Sequence, residues 1–191
     1  MLINIVLLKI GGPTAVSVYG VLVYVGEVMQ PILYGVSDSL QPAIGYNYGA
    51  GNMQRVRSIG ACVLVSCGIV SLVGAGVIFF CSEAIALMFI DAEETELFAL
   101  CSYALKLFSI TYLSRWLGFV AQSFFVAIDK AVPAAILSVM NAFVFPVLIL
   151  LVLWPMGLDG IWLNIPLSSL LVSILAGIIF YNLKNNIFTK T

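Results

Sequence analysis

The hydrophobic residues of this chain are gathered into long continuous runs that short polar segments separate. The runs cover approximately residues 13–48, 56–81, 97–127, 131–154 and 158–183. Each run reaches or exceeds the roughly 20 residues that a helix needs to cross the hydrocarbon core of a bilayer. A further apolar run over residues 1–10 is too short to span and stops at Gly11-Gly12-Pro13, as the last part of a helix would. The pattern therefore predicts five full transmembrane helices and one remnant helix.

The composition leads to the same class of protein. The chain has 191 residues, of which 62% are hydrophobic and 9% are charged, whereas a soluble domain carries about a quarter charged residues. The apolar runs are continuous and do not alternate with polar residues, which argues against membrane strands. We predict an all-α fold, a polytopic transmembrane helical bundle over residues 1–191, with the lipid bilayer as its surroundings.

Several kinds of chemistry are not indicated by the residue types. The chain has no histidine, and its four cysteines lie in or near apolar runs without metal-ligand spacing. There is no Gly-rich phosphate loop ending in Gly-Lys-Ser/Thr, and the net charge of -1 comes with no dense basic cluster. We therefore expect no metal, no cofactor, no nucleic-acid partner and no enzymatic activity.

The charged residues between the runs predict an orientation. Arg55 and Arg57 precede the second run, and Lys184 and Lys190 follow the last one, whereas the loop around residues 81–96 carries acidic residues and no basic one. Lysine and arginine favour the cytoplasmic side of a membrane. We expect the loops 49–57 and 128–133 and the C-terminus to be cytoplasmic; Lys9 alone does not fit.

The first full run contains a regular series of polar residues. Glu27, Gln30, Tyr34, Asp38 and Gln41 are separated by steps of three or four, so a helix places them on one face. A carboxylate near the bilayer centre costs at least about 2.5 kcal/mol unless it faces water or a partner. The series either lines a water-filled cavity or packs against polar residues of a neighbouring helix. Glu27 lies deepest, where a carboxyl that binds and releases protons would serve a proton-coupled pump.

The same run contains residues that are typical of helix bends and turns. Pro31 and Pro42 lack the N–H that a helix needs, so we expect the helix to bend near them. Gly45 and Gly49 form a GxxxG pattern, which permits close helix packing, and Gly51 follows in the next polar segment. We interpret these five residues as structural hinges.

Two polar residues in later runs are further candidates for the pathway. Arg115 lies deep in the third run, where a guanidinium must be paired or hydrated, and Glu27 or Asp38 is the available kind of partner. Asn141 follows Ser138 by one helical turn in the fourth run. It either lines a cavity or bonds between packed helices.

At residue level, two segments resemble a known family. "YGVLVYVGEVMQPILYGVSDSLQPAIGYNYGAGNMQRVRSIG" and "SFFVAIDKAVPAAILSV" resemble the C-terminal half, late helix seven to helix twelve, of the multidrug and toxin extrusion (MATE) family. The resemblance implies one six-helix lobe of a two-lobe transporter that alternately opens to each side. It also implies Glu27, Gln30, Tyr34 and Gln41 on the cavity face of helix eight, and Gly49 and Gly51 in the turn after it. Arg115, Asn141 and Asp129 depart from the family pattern.

The function implied by this resemblance is secondary-active efflux. Such a transporter exports organic cations and other amphipathic compounds against an inward flow of H⁺ or Na⁺, with no other cofactor. The N-terminal lobe, absent from these 191 residues, would be its partner. The alternative interpretation is a non-transporting membrane remnant, or a helical bundle that acts as a partner or scaffold protein.

Overall fold

The computed structural model describes residues 2–91 and 93–188 of the chain, so Lys190 lies outside the described residues. The described residues form nine α-helices; a 3₁₀ turn and a π-helical turn interrupt two of the spans, and a second 3₁₀ turn, Trp154–Met156, connects the last two spans. The α-helices are α1 Leu2–Ser39, α2 Gln41–Gly49, α3 Met53–Phe80, α4 Ser82–Leu87, α5 Thr95–Ile110, α6 Arg115–Ala127, α7 Ala131–Val139, α8 Phe145–Val152 and α9 Leu158–Phe188. Within the described residues no strand occurs.

The all-α transmembrane class predicted from the hydrophobic pattern is confirmed. In the described part of the chain, five helical stretches are long and apolar enough to cross a membrane: Val6–Gly49, Met53–Phe80, Thr95–Ala127, Ala131–Val152 and Leu158–Lys184. Helix α6 lies at the centre of the bundle and packs against α1, α2, α3, α7 and α9. Large buried side chains such as Tyr112, Phe125 and Trp162 fill the space between the helices.

The first span is interrupted at two places. Gly12 has a φ of 65°, in the left-handed region, so the short N-terminal stretch meets the rest of α1 at a kink next to Pro13. Pro31 lies inside α1 without a non-helical residue around it, so it does not end the helix. The break comes at Leu40, and Pro42 occupies the first turn of α2, where its missing N–H is harmless.

The three glycines predicted as hinges have different environments. A Cβ atom on Gly45 would lie 2.9 Å from the carbonyl oxygen of Ala127, so this glycine permits α2 to touch the end of α6. Gly51 has a φ of 74° and makes the turn into α3. Gly49 is helical and faces open space, so the prediction that it helps to form the turn is wrong.

The two glycines of the GxxxG pattern therefore provide a matched test of helix packing. We expect Gly45→Ala to lower the free energy of unfolding by about 1–3 kcal/mol, because its methyl group overpacks against backbone. We expect Gly49→Ala to be neutral or to stabilise by up to about 1 kcal/mol, because alanine favours helix and nothing obstructs it. Unfolding of the purified variants in denaturant measures both; an equal effect at the two sites would contradict this packing.

The third span is not one continuous helix. A 3₁₀ turn over Thr111–Leu113 separates α5 from α6, although the sequence there contains neither proline nor glycine. Neighbouring helices bond to the interrupted backbone: Ser71 of α3 donates to the carbonyl oxygen of Tyr112 at 2.5 Å, and Ser173 of α9 donates to that of Ser114 at 2.6 Å. The break is thus held from two sides, which a broken helix inside a membrane requires.

These serines provide a second test of the fold. We expect Ser71→Ala to lower the free energy of unfolding by about 0.5–1.5 kcal/mol, since it removes a buried donor from the Tyr112 carbonyl. Ser66→Ala, in the same helix, has no cross-helix bond described and is the control. Denaturant unfolding followed by circular dichroism measures the difference, and equal stabilities would show that the bond does not hold the break.

The fourth span contains a π-helical turn over Met140–Val144, directly before Pro146. Pro146 cannot donate to the carbonyl four residues earlier, and such local widening is a known response to a missing donor. Asn164 of α9 donates to the carbonyl oxygen of Pro146 at 2.8 Å and ties the two spans together. Asn141 lies within the π-helical turn.

The segment between the second and third spans forms an additional short helix, α4, that the pattern did not predict. Glu83 of α4 lies 3.7 Å from the ammonium group of Lys106 in α5. Both side chains are well exposed, so the ion pair contributes about 0–1 kcal/mol. The contact places Lys106 at the same end of the bundle as the acidic loop.

Candidate functional site

A cavity of about 420 Å³ lies between α1, α5, α6, the π-helical turn and α9 and is open on one side. Its size falls within the range of small-molecule sites. Its polar lining residues are Tyr19, Glu27, Gln30, Tyr34, Arg115, Gln122, Ser138, Asn141, Asn164, Ser168 and Ser169. Two of the three irregular turns, at Thr111–Leu113 and Met140–Val144, lie in the spans that form its wall.

The polar series of the first span divides into two parts. Glu27, Gln30 and Tyr34 line the cavity, whereas Asp38 and Gln41 are not among its lining residues. Gln41 donates to the carboxylate of Asp38 at 2.7 Å and to the hydroxyl of Ser123 in α6 at 3.0 Å. The cavity-facing part of the series thus ends at Tyr34, and Gln41, which follows the helix break at Leu40, packs between helices.

Arg115 is the first residue of α6, and its guanidinium reaches α1. Its Nη2 atom donates to the Oε1 atom of Gln30 at 2.8 Å. The guanidinium lies 5.5 Å from the ring centre of Phe119, on which Tyr34 stacks at 4.3 Å. This arrangement of amide, aromatic ring and cation holds the guanidinium in a fixed position at the cavity wall.

The predicted pairing of Arg115 with Glu27 or Asp38 is wrong. In the described ranges, the ion pair found within 4.0 Å is that of Lys106 and Glu83. Gln30 takes the place of a carboxylate because it lies nearer along the same face of α1. The Nε atom of Arg115 is buried and has no hydrogen-bond partner among the described residues, and no carboxylate of these residues lies within 4.0 Å of the guanidinium.

Glu27 is exposed on the cavity face of α1, one turn before Gln30. Four residues later stands Pro31, which has no N–H to donate to the backbone carbonyl of Glu27. A carboxylate and a carbonyl without its usual helical donor thus occur at one residue. The carboxylate can bind a proton, and both groups supply oxygen ligands of the kind that bind a hard cation.

Asn141, Asn164 and the serines of α9 form the opposite wall. Asn164 is buried, and besides its bond to Pro146 it accepts a hydrogen bond from Ser168 at 3.3 Å. Asn141 lines both the cavity and a narrow recess beside Arg115. These groups supply neutral hydrogen-bonding capacity, so the charged groups of the lining are Glu27 and Arg115.

The polar lining residues that were not predicted as site residues are Tyr19, Gln122, Ser138, Asn164, Ser168 and Ser169. Tyr19 lies eight residues before Glu27, a spacing that continues the polar face by two turns and could have revealed it. Ser168 and Ser169 follow the buried Asn164 by about one helical turn and could have been found by the same spacing argument. As to metal ions, no group of three or more potential ligands clusters in the described part of the chain.

Comparison with known proteins gives a family and related sequences. The family model MatE matches residues 1–152. The chain is 22% identical over 176 residues to the multidrug export protein MepA of Staphylococcus haemolyticus (strain JCSC1435), covering 92% of this chain and 38% of that protein. It is 22% identical over 181 residues to MepA of Staphylococcus aureus (strain NCTC 8325 / PS 47), covering 94% and 39%. The chain thus spans about two fifths of the length of these curated relatives.

Solved structures share the fold. An inward-facing multidrug resistance MATE family transporter superposes with a TM-score of 0.90 at 15% identity, over 99% of this chain and 44% of that one. An outward-facing one gives a TM-score of 0.88 at 18% identity, over 99% and 42%. At these identities the likeness shows the fold, and the helices superpose over nearly the whole chain.

Proposed function

The chain belongs to the MatE family, and from this we propose that it forms part of a secondary-active efflux transporter. The transporter would export organic cations and amphipathic compounds in exchange for H⁺ or Na⁺. The predicted resemblance to one half of a MATE protein is confirmed by the family match and by the share of the relatives that the chain covers. The chain is a multi-pass membrane protein with five spans in its described residues.

The observation that carries the proposal is a polar cavity bounded by two interrupted spans. Continuous helices would be sufficient for a bundle that only holds a membrane protein together. Here the two spans that contain the breaks at Thr111–Leu113 and Met140–Val144 supply lining residues to the same cavity as Glu27. In secondary transporters, discontinuous helices near the bilayer midplane typically form substrate and ion sites. This feature favours transport over the scaffold alternative.

Glu27 is the residue we propose for ion coupling. It is the carboxylate among the described residues that line the cavity, and Pro31 leaves the Glu27 carbonyl without its helical donor. Binding of H⁺ or Na⁺ would neutralise the carboxylate. Alternate occupancy by the ion and by the substrate's positive charge would then exchange one for the other.

Substrate contacts are proposed for the remaining lining residues. Tyr19, Tyr34 and Phe108 present aromatic surface to the cavity, which suits the apolar part of an amphipathic compound and attracts a positive charge. Gln30 and Asn141 provide amide groups that orient polar atoms. Gln41 donates hydrogen bonds to Asp38 and to Ser123, so Asp38 and Gln41 would act on the pathway only outside this cavity.

Two further features complete the proposal. Alternating access needs two lobes that move around one site, so an N-terminal lobe would cover the open side of this cavity. The positive charges at Arg55 and Arg57 favour an orientation in which the loop 49–57, with the loop 128–133 and the C-terminus, would lie at the cytoplasmic face. The acidic loop and α4 would then lie outside.

Dye accumulation in cells that lack other efflux pumps tests this function. We expect expression of the full-length gene product to lower ethidium accumulation, because the dye is an amphipathic cation. A protonophore and a Na⁺ ionophore, added separately, should identify the coupling ion by restoring accumulation. The scaffold alternative predicts the same accumulation with and without the protein.

A further inference from the structure

The positive charge of Arg115 is the feature of the cavity that export of simple cations does not explain. A guanidinium in a membrane span is retained where it is paired, hydrated or functional. Arg115 lines the cavity, donates to a neutral amide and keeps a buried Nε atom without a partner among the described residues. The cationic group of a ligand would be repelled from the part of the cavity next to Arg115.

From these contacts we propose that the cavity binds amphipathic compounds that carry a carboxylate, and that Arg115 is the residue that binds this carboxylate. The inference rests on the proposed function, since it specifies the class of compound that the same cavity accepts. The fixed guanidinium offers parallel N–H donors in the geometry that a carboxylate matches. Because Glu27 lines the same cavity, a compound with both a carboxylate and an ammonium group satisfies both charges.

The surroundings of Arg115 support an anion at this position. Arg115 begins α6, a helix of 13 residues, and a helix N-terminus carries a partial positive charge of roughly half a unit. Gln122 and Asn141 line both the cavity and the recess beside Arg115, and the side-chain amide of each can donate a hydrogen bond. The carboxylate would thus meet a cation, a helix N-terminus and neutral donors on one side.

The stacked rings of Tyr34 and Phe119 form an aromatic surface that the apolar part of such a compound can contact. Phe119 lies beneath the guanidinium and is 2% exposed, and Tyr34 stacks on it from the cavity side. An aromatic ligand that contacts Tyr34 would therefore bring its polar end towards Arg115. The order of aromatic group and charge along the cavity wall matches that of an aromatic compound with a carboxylate at one end.

Two fluorescent probes that differ in one group test the inference. Nε-dansyl-lysine and dansylcadaverine share the dansyl group, the alkyl chain and the ammonium group, and only the first has a carboxylate. Binding of each to the purified full-length protein in nanodiscs is measured from dansyl fluorescence. We expect dansyl-lysine to bind roughly tenfold more tightly or better, the usual effect of one charge-assisted hydrogen-bonded pair. Equal binding, or tighter binding of dansylcadaverine, would overturn the inference.

Variants identify the residue responsible. Arg115→Gln should remove the preference for dansyl-lysine, whereas Arg115→Lys should retain part of it because the charge remains. Lys106→Gln is the control, since Lys106 pairs with Glu83 and does not line the cavity. An unchanged preference in a folded Arg115→Gln protein would show that the carboxylate binds elsewhere. If Arg115→Gln does not fold, the inference is tested by the ratio of the affinities for dansyl-lysine and dansylcadaverine in the wild type and in Arg115→Lys.

The test is separable from the proposed function. Carboxylate-dependent binding without gradient-driven transport would support the inference and contradict the function. Gradient-driven transport with no preference for the carboxylate would contradict the inference and leave the function supported.

Discussion

Glu27→Gln is expected to reduce gradient-driven export strongly while leaving the protein folded. The amide retains the shape of the side chain but cannot bind a proton or carry the charge that attracts Na⁺. A coupled transporter depends on a coupling free energy between ion and substrate that corresponds to roughly 5–150-fold in affinity. We therefore expect export to fall by about tenfold or more, and to become insensitive to an imposed gradient. Transport by the full-length protein in proteoliposomes measures this effect.

A matched control is available in the same polar series. Asp38→Asn makes the same chemical change on the same helix, but Asp38 accepts a hydrogen bond from Gln41 and does not line the cavity. We expect it to alter export by less than about twofold, a free-energy change below roughly 0.4 kcal/mol. A larger loss of export for Asp38→Asn than for Glu27→Gln would indicate that the coupling site lies at Asp38, near the C-terminal end of α1, and would contradict the proposed role of Glu27.

Exchanging the charges of Glu27 and Arg115 is the second change with a large expected effect. We expect Glu27→Arg, Arg115→Glu and the double variant all to lose export, with no rescue in the double variant. Arg115 is bound by Gln30, and no ion pair within 4.0 Å joins it to Glu27 among the described residues. The double variant would thus not restore an ion pair. The carboxylate introduced by Arg115→Glu would also lose the hydrogen bond that the guanidinium donates to Gln30.

The measurement is export by all three variants, with folding checked by size-exclusion chromatography and circular dichroism. If the double variant exports better than both single variants, the two substitutions are energetically coupled, as substitutions of residues in contact are. Such recovery would contradict the arrangement described here and would favour a direct Glu27–Arg115 ion pair. Gln30→Leu, which removes the observed partner of Arg115, should by contrast impair export by itself.

The number of spans and half of the candidate site could be predicted from the sequence. Apolar runs of the required length dominate the free energy of membrane helices, so the class of fold follows from hydrophobicity alone. Glu27, Gln30 and Tyr34 were found on one face because α1 is regular between Gly12 and Ser39. A spacing argument succeeds wherever the helix between the residues is unbroken.

The spacing argument failed where the helices are interrupted. Beyond Leu40 the phase of the first span changes, so Gln41 packs against α6 instead of continuing the cavity face. The break before Arg115 has no proline or glycine to signal it and depends on Ser71 and Ser173 from distant helices. Such tertiary contacts are not encoded in local pattern.

The partner of Arg115 was wrongly predicted for a related reason. Charge complementarity alone favours a carboxylate, but several acceptors lie on the same face of α1, and the one nearest in space forms the bond. Gln30 is that acceptor. Only the positions of α1 and α6 relative to each other, which the packing of the whole bundle determines, distinguish Gln30 from Glu27.

Flux of ethidium through the full-length protein in proteoliposomes, under an imposed H⁺ or Na⁺ gradient and without ATP, tests the central claim most directly. The account predicts dye movement against its own gradient that stops when an ionophore dissipates the ion gradient, and that is lost in Glu27→Gln. Dye movement that ignores both ion gradients, or that is equal in wild type and Glu27→Gln, would contradict ion-coupled export through this cavity.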